Sequence, residues 1–240
     1  MLRLRAIIFH LGLYLFTLLL LSITPLLFLI PKQWSHSYLG NWSRFTLWWL
    51  KLTCNLSYEV KGEENIPEGP AIVLSKHQSA FETVALQAVF PAQTWVLKRE
   101  LMWIPLLGWG LALMQAVAID RKAGKKALRQ VIEQGTDRLQ KGLWVIVFPE
   151  GTRIAPGKTG KYGIGGAMLA AKSGYPVVPV AHNAGEFWEK NSFNKRPGII
   201  TISVGSPIDT KGKKAVEINE LTKAWIEEET RAISTLKGEG

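Results

Sequence analysis

Cysteine is almost absent from this 240-residue chain: Cys54 stands alone. No internal disulfide can form, and no Cys/His grouping has the spacing of a zinc site. That usage suits a reducing compartment. Acidic residues are also scarce, with 19 Asp plus Glu against 29 Lys plus Arg and a formal net charge of +10. So basic a chain suits an anionic partner: nucleic acid, an anionic membrane or a phosphorylated substrate. A Gly-x-Ser-x-Gly elbow is missing, which argues against a serine hydrolase. A P-loop is missing too: five residues separate Gly151 from Gly157-Lys158-Thr159 where four are required, and Pro156 interrupts the loop. There is no internal repeat, low-complexity tract or second soluble domain. The length suffices for one α/β domain with a substantial core plus an appendage.

What the chain does have begins with a long apolar run, residues 6–30, broken only by His10, Gly12, Thr17, Ser22, Thr24 and Pro25. Its length fits a bilayer-spanning helix of about 20 residues. Arg3 and Arg5 precede it; Pro31 and Lys32 follow. The run is too long for a signal peptide and no small-x-small cleavage site follows it. His10 is expected in a helix near the interface, with no assigned function. Trp34, Tyr38, Trp42, Phe45 and Trp49 recur at helical spacing and mark one face of a second helix. Ser35, Asn41, Ser43, Arg44 and Lys51 make that helix too polar to span. Its aromatic face suits either the membrane–water boundary or packing on the domain that follows. Residues 1–53 are thus expected to form a hydrophobic two-helix membrane anchor, and residues 54–240 the main domain.

From Leu56 onward, strand and helix patterns alternate. Strands are expected at 56–60, 71–74, 94–97, 116–119, 143–148, 177–181 and 199–204, and helices at 80–90, 122–140, 165–173 and 213–236. This predicts an α/β fold with a largely parallel sheet flanked by helices. In such sheets ligands bind beyond the carboxyl ends of the strands. His77, Asp120-Arg121, Glu150 to Arg153 and His182-Asn183 all fall there; a structural role suits His182-Asn183 at least as well as a polar wall.

Four strand ends carry chemistry. The apolar run ending at Leu74 gives way to Ser75-Lys76-His77-Gln78-Ser79-Ala80-Phe81-Glu82. An imidazole with an ordinary pKa of about 6.5 can take a proton near neutral pH. On one continuous helix His77 and Glu82 would face about 140° apart. They meet only if His77 precedes the helix and Glu82 lies in its first turn. Ser79-x-x-Glu82 fits a helix capping box just as well. After the strand 143–148 comes Pro149-Glu150-Gly151-Thr152-Arg153. Its glycine admits a ligand close to the backbone, and its arginine can grip a phosphate through two donors. The alternative is a plain turn closed by a Glu150–Arg153 ion pair. Lys98 and Arg121 end two further strands and complete a basic rim with Arg153.

Together these stretches resemble the 1-acylglycerol-3-phosphate acyltransferase family of glycerolipid acyltransferases. That family carries four ordered blocks. His-x4-Asp is matched by His77 to Glu82 with Glu in place of Asp. The hydrophobic-Asp-Arg element is matched by Ile119-Asp120-Arg121. Phe-Pro-Glu-Gly-Thr-Arg is matched letter for letter at Phe148 to Arg153, and the apolar stretch around a proline by Val177-Val178-Pro179-Val180. The resemblance implies that residues 54–240 are an acyltransferase domain, with His77 as general base on the acceptor hydroxyl and Glu82 orienting it. It implies that Lys98, Arg121 and Arg153 hold the acceptor phosphate and that Glu150, Gly151 and Thr152 border its glycerol. Val178 and Pro179 would support the sheet and line the acyl pocket rather than do chemistry. Backbone N–H groups near Ser79 are candidate oxyanion donors. The partners implied are lysophosphatidic acid, acyl-CoA or acyl-carrier protein as donor, and the lipid bilayer, with no metal, no cofactor and no nucleic acid. The domain would lie on the cytosolic face of the inner (cytoplasmic) membrane, where the thioesters are made. Two alternatives stay open: an acyltransferase for another acceptor (glycerol-3-phosphate, another lysophospholipid or a lyso-aminolipid), and a non-catalytic membrane-anchored phospholipid binder. A binder has no need of a base.

Overall fold

The computed structural model describes residues 1–29 and 32–236. Helix α1 (Leu2–Ile23) continues as a 3-10 segment, Thr24–Leu29. The change falls at Pro25, whose missing N–H cannot continue the α-helical ladder. Helix α2 (Lys32–Cys54) then returns antiparallel along α1. Tyr38 Oη donates to Leu20 O (3.1 Å), Trp42 Nε1 to Thr17 Oγ1 (2.9 Å) and Trp49 Nε1 to Phe9 O (3.1 Å). Phe45 stacks on Phe16 with centroids 3.8 Å apart. A Cβ on Gly12 would stand 2.2 Å from Trp49 Nε1, so glycine there lets the indole seat. The aromatic face of α2 therefore turns toward α1, a contact neither expectation had included, while Trp42 and Trp49 also pack against the core cluster of the sheet, as the packing alternative expected. Pro31 and the side chain of Trp34 lie outside the described residues.

The rest alternates as the sequence pattern predicts: β1 (Leu56–Lys61), β2 (Ile72–Ser75), α3 (Phe81–Val89), β3 (Gln93–Lys98), α4 (Leu107–Leu113), β4 (Val117–Ile119), α5 (Lys125–Gln140), β5 (Trp144–Val147), α6 (Gly165–Ser173), β6 (Val177–His182), the short α7 (Ala184–Phe187), β7 (Gly198–Val204) and α8 (Ala215–Ala232). Each expected strand is present. Helix α4 was not expected: its LGWGLAL sequence carries two glycines, poor helix formers.

The sheet runs β1-β7-β6-β2-β5-β3-β4. Every pairing is parallel except β6 with β7. Strands alternate between two cores, as the period-2 geometry of a strand demands. Val73 and Ile146 face a core shared with Phe9, Leu47, Leu50 and Cys54 of the hairpin and Phe81, Val84 and Leu86 of α3. Ile72, Leu74, Val145 and Val147 face α5, α6 and α8. The hairpin is thus packed into the same apolar cluster as the sheet. His10 joins in: its Nε2 accepts from Lys195 Nζ at 3.0 Å, beside Phe9, Trp188 and Phe193. Burial lowers the Lys195 ammonium to about 8.

Candidate active site

Strand order builds the site. Neighbours β6, β2, β5, β3 and β4 bring His182, His77, Glu150 to Arg153, Lys98 and Arg121 to one edge of the sheet. His77 leaves β2 ahead of α3, and Glu82 sits in the first turn of α3. The two meet as the spacing requires, with His77 Nδ1 2.8 Å from Glu82 Oε1. A carboxylate only accepts, so Nδ1 carries the proton and Nε2 is left as the basic nitrogen. The same carboxylate accepts from Gln78 N (2.9 Å) and Ser79 N (2.8 Å), and Phe81 N donates to Ser79 Oγ (3.1 Å). The capping box and the imidazole contact are one structure. Ser79 N and Gln78 N are spent on Glu82, so they are not free to serve as oxyanion donors.

Glu82 is buried. Burial opposes its ionisation, but the two imidazoles beside it, His182 and the hydrogen-bonded His77, together with the Ser79 N–H, outweigh it, and its pKa lies below the ordinary carboxylate value. His182 stands behind it, with Nε2 3.9 Å from Glu82 Oε2. Its Nε2 donates to Lys76 O at 2.8 Å, and its Nδ1 accepts from Ala184 N at 3.3 Å. Burial keeps this ring below its ordinary pKa despite Glu82. It is a neutral strut, the structural role the sequence allowed. The His77 ring, 14% exposed, stacks on Phe148 at 4.0 Å between centroids and 12° between planes. Trp95 backs Phe148 at 5.6 Å.

The Pro149 to Arg153 turn clamps the backbone of His77. Glu150 Oε2 accepts from His77 N (2.9 Å), and Ile154 N donates to His77 O (2.8 Å). Glu150 points inward and does not line the cavity in front of His77: its Oε1 accepts from the fully buried Lys76 Nζ at 2.8 Å. Lys76 also reaches Glu227 Oε1 of α8 at 2.7 Å, and Glu227 accepts from Thr159 Oγ1 (2.7 Å) and Tyr162 Oη (2.8 Å). Burial, the Glu227 hydrogen bond and neighbouring negative charge push the Tyr162 phenol far above its ordinary value, so it stays a donor. The exposed Gly157-Lys158-Thr159 loop is therefore tied to a buried ion cluster, through Thr159 Oγ1 and through Lys158 O, which accepts from Lys76 Nζ at 3.4 Å. Neither Lys76 nor Glu227 had a local signal in the sequence.

In front of His77 opens a cavity of about 580 Å³. Lys98, Arg121 and Arg153 line it together with His77, so the basic rim exists as one surface. Among the described residues none of the three pairs with a carboxylate; Arg121 Nη1 donates to Gly151 O at 2.6 Å. Burial lowers the Arg121 pKa and Glu100 partly offsets this, yet a guanidinium stays cationic. Behind the rim the cavity is apolar, bounded by Leu101, Leu111 and Met114 on one side and Leu20, Leu21 and Trp42 of the hairpin on the other. Gly151 (φ +65°) and Thr152 are exposed at the turn. Val178 and Pro179 are buried in β6, and neither lines the cavity.

Residues 57–183 match the model of the family described as Acyltransferase. A 1-acyl-sn-glycerol-3-phosphate acyltransferase of Pseudomonas aeruginosa is 45% identical over 200 residues, covering 82% of this chain and 78% of the relative. The chain belongs to the 1-acyl-sn-glycerol-3-phosphate acyltransferase family. A member from Limnanthes alba is 30% identical over 198 residues, 81% of this chain and 70% of that one. The crystal structure of a 1-acyl-sn-glycerophosphate acyltransferase from Thermotoga maritima superposes with a TM-score of 0.80 at 24% identity, covering all of both chains; this likeness establishes the fold. The family model takes in all four blocks at the carboxyl edge of the sheet and leaves out α1, α2 and α8. Glu227 of α8, which completes the buried cluster, thus lies beyond the matched segment.

Proposed function

We propose that this acyltransferase moves an acyl group from acyl-CoA or acyl-carrier protein to the sn-2 hydroxyl of 1-acyl-glycerol-3-phosphate, forming phosphatidic acid. One observation carries this: His77 Nδ1 is held by Glu82 at 2.8 Å in a cavity that also presents three cations without carboxylate partners. Nε2 of His77 takes the proton of the acceptor hydroxyl as that oxygen attacks the thioester carbonyl. The C–O bond forms, the C–S bond breaks, and the imidazolium returns its proton to the leaving thiolate. Glu82 stabilises the transient imidazolium and stays ionised. Lys98, Arg121 and Arg153 hold the phosphate, and the exposed Gly151 and Thr152 border the glycerol. Glu150 supports the loop from inside. Lysophosphatidic acid is the acceptor that the relatives' names favour, and its phosphate suits the rim.

Helix α1 is long and apolar enough to cross a membrane, and only 17% of its most apolar 18-residue window is buried. Because α2 doubles back along α1 with Arg44 and Lys51, the hairpin enters and leaves one leaflet from the same side. Residues 1–53 serve as the anchor and residues 54–240 as the catalytic domain, on the cytosolic face of the inner membrane where acyl thioesters are available. The deciding assay gives purified full-length enzyme a panel of acceptors, each with acyl-CoA and with acyl-carrier protein. The expected outcome is selective use of 1-acyl-glycerol-3-phosphate, abolished in His77→Ala while the fold persists. Equal turnover of phosphate-free lysolipids, or undiminished transfer in that variant, would refute the assignment.

A further inference from the structure

One exposed apolar patch lies outside the hairpin. Trp103 is 69% exposed, Ile104 46%, Leu107 41% and Trp109 46%, all within seven residues of chain. Isolated exposed apolar residues are ordinary; four together, two of them Trp, are not. The local backbone is built to present them. Leu106 is the centre of a tight γ-turn (φ +66°, ψ −54°) in which Leu107 N donates to Pro105 O at 2.8 Å, and a Cβ on Gly108 would stand 2.1 Å from Met102 O. Glycine therefore lets α4 fold back onto the 3-10 turn Arg99–Trp103 that carries Trp103.

The patch is continuous with the outer surface of the hairpin. Leu113 of α4 shares an apolar cluster with Leu20 and Leu27, and a Cβ on Gly110 would touch Leu21. That outer surface is itself exposed and apolar, including Leu11, Leu15, Leu18, Leu19 and Leu26. The hairpin beside the patch is free of acids, and within residues 99–113 Glu100 is the one carboxylate. Residues 1–58 contain no Asp or Glu, and the Arg99 guanidinium, paired with Asp120 Oδ2 at 3.2 Å, lies over the Trp103 ring at 5.6 Å from its centroid. A tryptophan with an arginine at its polar end is the pairing that settles at the headgroup level of an anionic leaflet.

We infer that residues 99–113 are a third membrane-contacting element, which dips into the same leaflet as the hairpin. Leu20, Leu21 and Trp42 of the hairpin line one side of the cavity, and Leu101, Leu107 and Leu111 the other. With both walls in lipid, the gap between them is a side door through which a lysolipid reaches His77 without leaving the bilayer.

Two measurements on the full-length protein test this. An environment-sensitive fluorophore goes on Trp109→Cys in a Cys54→Ala background, with vesicles of phosphatidylcholine and phosphatidylglycerol as the probe. Its emission should brighten and shift to the blue on vesicle addition, while the same label at Val216→Cys, an exposed site on α8, should not respond. Second, Trp103→Glu/Trp109→Glu should acylate a long-chain lysolipid in vesicles about tenfold more slowly or worse, yet keep its rate on a short-chain acceptor soluble in water. Unchanged emission at position 109, or an equal loss on both acceptors, overturns the inference; the first would leave the patch to a protein partner. The rate test rests on the acyl-transfer function and the label test does not. A wild type inactive on both acceptors would therefore defeat that function and leave the leaflet contact standing.

Discussion

Two carboxylates flank His77 and do opposite jobs. Glu82 holds its ring through Nδ1, and Glu150 holds its main chain through the amide N–H. Both are buried. Glu82 is ionised among N–H donors and histidines, whereas Glu150 leans on the ammonium of Lys76. The contrast separates tuning from scaffolding. A carboxylate that touches the imidazole directly can steer its tautomer and stabilise its charge. One that touches the backbone can only fix where the ring stands.

Substitutions should split along that line, and the first named should have the largest effect. Glu82→Gln should lower kcat about 100- to 10,000-fold, measured with saturating substrates, while the unfolding midpoint moves comparatively little. If Glu150→Gln lost as much kcat at equal stability, the distinction would collapse. Lys76→Met leaves Glu150 and Glu227 buried without their cation and should cost about 3–5 kcal/mol in denaturant unfolding. Adding Glu150→Gln and Glu227→Gln to it should recover part of that loss. Arg153→Ala should raise KM for the phosphorylated acceptor about tenfold with kcat nearly unchanged, as expected for a cation that grips ground state and transition state alike; a kcat loss alone would move Arg153 off the rim. Glu82→Asp should retain partial activity, a few-fold below wild type by single-turnover rates, because the shorter acid pulls back from Nδ1.

The smallest effect is a pH dependence. The folded-state pKa of Glu82 lies below its unfolded value of about 4.5, so its ionisation stabilises the fold above that pH. The contribution fades as pH falls from there through the folded pKa. The stability gap between wild type and Glu82→Gln should narrow over that acid range and stay flat from pH 6 to 8. A gap that widened on acidification would mean Glu82 is protonated in the native protein.

The sheet was legible in the chain because its strands are short apolar runs ended by turn residues, as at Ile72–Ser75 and Trp144–Val147. The meeting of His77 and Glu82 was legible for a similar reason: a strand end followed by a helix start leaves one way for that spacing to close. Helix α4 was hidden by its glycines: Gly108 serves a close approach to Met102, and Gly110 faces Leu21 of the hairpin. The direction of Glu150 was hidden as well. Nothing near it in sequence announces Lys76, 74 positions away, or Glu227, 151 positions from that lysine.

The sequence by itself determined the alternation of strands and helices, the ordered blocks, and a histidine and an acid spaced to meet. These follow from local periodicity and short-range turn geometry, which neighbouring residues encode. Only the tertiary structure decided that β6, β2, β5, β3 and β4 lie side by side, that Lys76 bridges two distant carboxylates, and that α4 and the hairpin enclose a cavity between them. Those outcomes depend on which buried surfaces fit and which buried charges find partners across the whole chain, and no single stretch carries that information.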